Sequence, residues 1–112
     1  MTYRLFLDDM RDVPPGEWLV ARSYAQFVQC VTECGVPTFV SFDHDLADEH
    51  YAHFENPIPY SEYSQPTGRD CALWLAEHCA ALGVPLPDFT CHSMNPAGRH
   101  NIEKIMTRKD AA

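Results

Sequence analysis

At 112 residues, 46% of them apolar, the chain is long enough for one domain with a single core and too short for two. No run approaches the roughly 20 apolar residues of a membrane span, and MTYRLFLDD lacks the parts of a secretory signal, so a cytoplasmic location is expected. The formal charge of -8 argues against duplex DNA as a partner, because that binding depends on lysine and arginine neutralising phosphates; an acidic protein still binds a phosphate through a metal.

Arg4 to Leu7 read as a short strand that runs straight into Asp8 and Asp9. Pro14-Pro15-Gly16 marks a loop, and Trp18 to Ala21 reads as a second short strand. The connection between them is too short for a normal crossover helix. Ser23 caps a helix in which Tyr24, Phe27, Val28, Val31 and Cys34 recur at helical spacing, and Gly35 stops it. After Pro37, Thr38 to Phe42 form a β-branched and aromatic strand that ends in Asp43-His44-Asp45.

From Leu46 to Pro66 no periodicity persists; Pro57, Pro59 and Pro66 break any helix, and Tyr51, His53, Phe54, Tyr60 and Tyr63 supply aromatic surface. We read a single domain over 1–112 with a long loop at about 46–66. Loops of this length are more often functional lids or binding loops than connectors, a partly disordered insertion being the other reading. Thr67 and Asp70 resemble a capping box for a helix whose face carries Cys71, Trp74, Leu75, His78 and Leu82 and which ends at Gly83. Asp88 to Cys91 is the next strand, reaching His92 and Ser93. Asn95-Pro96 then opens a last helix that buries Ile102, Ile105 and Met106.

This alternation predicts an α/β fold: a small, mainly parallel sheet of about four strands with helices on both faces. The five cysteines are odd in number, lack CxxC spacing and lie in apolar patterns, so they read as buried reduced thiols.

In a parallel sheet the three polar strand ends meet at one edge, where open α/β folds bind ligands. Asp8, Asp9, Asp43 and Asp45 are candidate ligands of a divalent cation, Mg²⁺ or Mn²⁺, since carboxylates gathered at one edge repel unless a hard cation or a proton relieves them. Adjacent Asp8 and Asp9 point to opposite faces in extended backbone, so only one is a direct ligand without a bend. His44 and His92, each just past a strand, suit general acid and base work, with Asp43 and Ser93 beside them. The start of the last helix, with Asn95, Gly98 and Arg99, is a natural anion pocket. Arg11, Thr67 and Arg69 complete the candidate substrate contacts.

The ordered set LFLDDMR, a following Trp, SFDHDL, TGRD and HSMNPAGRHNI resembles the cyclic-phosphate-processing receiver-like domain of bacteria and phages, over nearly the whole chain. The resemblance implies a receiver/flavodoxin-like fold and processing of cyclic phosphates on nucleotides or RNA ends. Carried over by motif, it marks Asp8, Asp9, Arg11, Asp43, His44, Asp45, Thr67, Asp70, His92, Ser93, Asn95, Arg99 and Asn101. Where an ordinary receiver has a lysine after its last strand this chain has His-Ser, which argues against aspartyl-phosphate signalling. The expected function is therefore a metal-assisted phosphodiesterase acting on a cyclic nucleotide or an RNA cyclic-phosphate end. Two alternatives are a receiver-like phosphoacceptor using Asp43 and a non-catalytic cyclic-nucleotide-binding protein.

Overall fold

The computed structural model describes residues 2–46, 50, 59, 63 and 65–107. Four short strands, β1 (Arg4–Leu7), β2 (Leu19–Ala21), β3 (Phe39–Phe42) and β4 (Asp88–Cys91), pair in parallel in the order β2-β1-β3-β4. Three helices lie wholly within the described residues: α1 (Tyr24–Cys34), α2 (Gly68–Leu82) and α3 (Pro96–Met106). Most of the predicted loop falls outside the described residues, and with it the lid reading.

The caps act where their residue types direct. Ser23 Oγ accepts the Gln26 N–H, Thr67 and Asp70 close a reciprocal capping box, and Asn95 accepts the Gly98 N–H with Pro96 at the first helical position. Gly83 ends α2 at φ 68°, ψ 31°, a left-handed conformation that a side chain would disfavour.

Register separates the two faces of the sheet. Leu5, Val40 and Phe89 lie side by side across it, as do Ala21, Leu7, Phe42 and Cys91, and this face joins one core with Phe27, Val31, Leu75 and Ile102. All three described helices belong to that core, whereas the sequence predicts helices on both faces. The reason lies in the connections. The β2–β3 and β3–β4 crossovers advance in one direction along the sheet, so right-handedness places their helices on one face. Only the β1–β2 connection runs the other way, and it holds no helix.

The opposite face is covered in part by that connection. Trp18 meets Phe6 and Phe39 edge-on, with ring centroids 6.0 Å apart in both cases, and the Arg4 guanidinium lies 4.3 Å above the indole. All five cysteines are free thiols; Cys71, Cys79 and Cys91 are buried and Cys30 and Cys34 partly so.

Candidate active site

Each central site residue is the last rung of a strand ladder. The Asp8 N–H donates to the Ala21 carbonyl (3.1 Å), the Asp43 N–H to that of Leu7 (3.0 Å) and the His92 N–H to that of Phe42 (2.9 Å). Because side chains alternate along a strand, Asp8 follows Arg4 and Phe6, Asp43 follows Phe39 and Ser41, and His92 follows Asp88 and Thr90, all on the helix-free face. Ligand atoms of Asp8, Asp43 and His92 accordingly lie within 4.8 Å of one another. They stand at the β1/β3 junction, where the chain reverses its direction of travel across the sheet.

Asp8 is 1% exposed and heavily bonded. Its Oδ1 accepts the Met10 and Arg11 N–H groups, both at 2.9 Å, and Oδ2 lies 2.9 Å from His92 Nε2. Burial alone pushes this carboxyl up, but the two backbone donors and His92 outweigh it and hold the group below the ordinary value. Asp43 is pushed up to about 7, by burial first and then by the charge of Asp8. Two buried carboxyls thus share a site in which one is ionised and the other half-protonated near neutrality.

His92 stacks on Phe6, with centroids 4.9 Å apart and rings 10° from parallel, and its Nδ1 lies 2.7 Å from Ser41 Oγ. Burial lowers its basicity, and the contact with Asp8 opposes this only in part. Arg11 bridges the loops, its Nη1 donating to the His92 carbonyl at 3.0 Å and its Nε lying 3.7 Å from Asp8 Oδ2.

A second network contains the remaining buried candidates. His44 Nδ1 donates to Asp45 Oδ1 (2.7 Å), and Asn95 Nδ2 donates to the same oxygen (3.2 Å). Ser93 Oγ accepts the Asn95 N–H at 3.1 Å. Gly98 packs against the His44 ring, where a Cβ would come within 2.3 Å of Cγ. These residues clamp the end of β3 to the start of α3. Similarly, the backbone of Gly68 sits against that of Asp43, where a Cβ would fall 1.8 Å from the carbonyl oxygen. Thr67 is fully buried and its hydroxyl caps α2 by accepting the Arg69 N–H at 3.2 Å.

Of the four predicted acidic ligands, the structure brings Asp8 and Asp43 together with His92. Asp45 serves the His44 and Asn95 network, while Asp9 is half-buried and acts on Asp43 through its charge. Arg69 is half-buried in the first turn of α2, and Arg99 is exposed in the first turn of α3. Two residues escaped the sequence reading. Ser41, two positions before Asp43 in an apolar strand, carries the signal of a polar residue on the site's own face. Arg22, which donates to the Asp8 carbonyl at 3.0 Å and also to that of Arg11, gave no such signal.

Two carboxylates at this spacing fit a divalent cation, and Mg²⁺ in particular is commonly held by one or two carboxylates with water and phosphate oxygens completing its shell. Among the described residues no helix is long and apolar enough to cross a membrane. The family model of the cyclic-phosphate processing receiver domain matches residues 3–108, and the chain belongs to that family. No curated protein and no solved structure matches it.

Proposed function

We propose that this receiver-like domain hydrolyses a cyclic phosphodiester, opening the ring of a cyclic nucleotide or of an RNA cyclic-phosphate end. The observation that carries this reading is the convergence of Asp8, Asp43 and His92 at the ends of β1, β3 and β4. Overall, one ring P–O bond breaks, the water oxygen is added to phosphorus, and the departing ring oxygen takes a proton. His92, held neutral by burial, moves that proton. Arg11, beside Asp8 and His92, and Arg99, in the first turn of α3, would hold the phosphate.

Asp8 and Asp43 would hold a divalent cation, whose charge offsets that of the carboxylates and of the phosphate. Asp8 also orients the imidazole of His92. The receiver-like alternative needs Asp43 as a nucleophile, but after β4 the chain has His92-Ser93 where an ordinary receiver has a lysine.

The test is turnover of 2',3'-cyclic nucleotides, 3',5'-cyclic nucleotides and cyclic dinucleotides, followed by chromatography with Mg²⁺ or Mn²⁺ and with chelator. Ring opening of at least one, reduced by chelator, is expected. Binding without any opening would replace the reading with a sequestering protein, and a stable phosphate adduct on Asp43 from a small phosphodonor would replace it with a phosphoacceptor.

A further inference from the structure

The Asp8 carboxylate determines the hydrogen positions around His92. An ionised carboxylate only accepts, so at 2.9 Å His92 Nε2 carries the ring proton. Nδ1 is then the lone pair, and the Ser41 hydroxyl, 2.7 Å away, donates to it. A hydroxyl, a base that takes its proton and a carboxylate that orients the base form the constellation that makes a serine nucleophilic. The two ring nitrogens have exchanged the parts they play in serine proteases.

This relay is rigid, and its serine, though buried, borders a groove. Ser41 belongs to β3, His92 is stacked on Phe6, and Asp8 is tied to the Met10 and Arg11 backbone. Ser41 also lines a groove of about 550 Å³ on the helix-free face, together with Arg4, Trp18, Phe39, Asp88 and Thr90. A ligand in that groove reaches β3 without crossing the core, and Arg4 offers it positive charge. A serine with a purely structural hydrogen bond would need neither the carboxylate behind its histidine nor a groove in front.

We propose that Ser41 is the covalent nucleophile of this domain and that its target is the phosphorus of a cyclic phosphate. The substrate rests on the function proposed above; the activated serine does not. In the first step the Ser41 oxygen bonds to phosphorus, the ring P–O bond breaks, and the serine proton passes through His92 Nδ1 to the departing ring oxygen. In the second, water adds to phosphorus, the Ser41 O–P bond breaks, and His92 carries the water proton back to the Ser41 oxygen.

An alkyl fluorophosphonate tests the serine independently of the substrate, because attack forms the Ser41 O–P bond and expels fluoride. The full chain is incubated with the probe, and intact mass and peptide mapping follow. One adduct on Ser41 is expected, absent from Ser41→Ala and formed about tenfold or more slowly in His92→Asn. No adduct at Ser41 in the folded wild-type chain would overturn the proposal. So would Ser41→Ala that opens a cyclic nucleotide at the wild-type rate, where a loss of about a hundredfold or more is expected. Labelling at Ser41 without opening of any cyclic nucleotide would leave the nucleophile standing and remove the substrate reading.

Discussion

His92 is where the proposed chemistry concentrates, since one imidazole contacts Asp8, Ser41 and Phe6 at once. Replacing it with alanine should lower ring opening by about 10²–10⁴-fold with far-UV circular dichroism unchanged. Because burial lowers its basicity, the acid limb of the wild-type pH–rate profile should fall below the ordinary 6.5 of a histidine. His44 is expected to behave differently. It is 3% exposed, bonded to Asp45 and covered by Gly98, so its replacement should act through the placement of α3. Gly98→Ala isolates that role: the added methyl must displace the ring, and a loss of about 1–3 kcal/mol is expected in urea unfolding. A Gly98→Ala chain as stable as the wild type would show that the ring has room to move. In sequence the two histidines look equivalent, each just past a strand and next to an acid or a hydroxyl. What separates them is parity. His92 continues the even positions of β4 onto the helix-free face, whereas His44 falls one residue past Asp43 and turns toward the helices.

The elements themselves were readable because each carries its own punctuation: Ser23, Thr67 with Asp70, and Asn95-Pro96 at helix starts, Gly35 and Gly83 at helix ends. The strand ends were readable because apolar runs stop at acids or histidine. The arrangement of helices was not, since face depends on the direction of each crossover, which follows from strand order rather than from local pattern. The β1–β2 connection shows the consequence, because it substitutes a few side chains for the missing helix. Trp18 bridges Phe6 and Phe39 beneath the Arg4 guanidinium, and Arg22, just past β2, holds the start of the connection by the Asp8 and Arg11 carbonyls. Trp18→Ala should therefore cost about 2–3 kcal/mol, somewhat less than a fully buried tryptophan. It should also loosen Phe6 beneath His92, so the catalytic rate should fall along with stability. Unfolding in urea paired with turnover checks both, and a stability loss with an unchanged rate would separate the aromatic cover from the site.

Over the whole molecule the difficulty is charge: a chain of net charge -8 gathers Asp8, Asp9 and Asp43 at the place where the proposed function brings an anion. Without a cation, burial first and then the repulsion from Asp8 keep a proton on Asp43 up to about pH 7 in the folded chain, against 3.8 for the free side chain. The sign follows from linkage. Between about pH 4 and pH 7 the folded state keeps a proton that the unfolded state has lost, so this group's contribution to stability is fully present at low pH and is lost as the pH rises through the folded value. At about 1.4 kcal/mol per pH unit, the full span is worth a few kcal/mol. Asp8, lowered in the folded state, works in the opposite sense and weakens the fold as the pH falls through its own range. Asp43→Asn should therefore gain stability over the wild type at pH 8 and lose most of this difference at pH 5, as thermal melting in the presence of chelator will show. Mg²⁺ or Mn²⁺ should replace the proton: at pH 8 a saturating cation should raise the wild-type melting temperature by about 4 °C or more. In Asp43→Asn, where one carboxylate is gone and the repulsion with it, the same addition should do little. Equal cation shifts in both chains would place the ion elsewhere and leave Asp43 without a part in holding it.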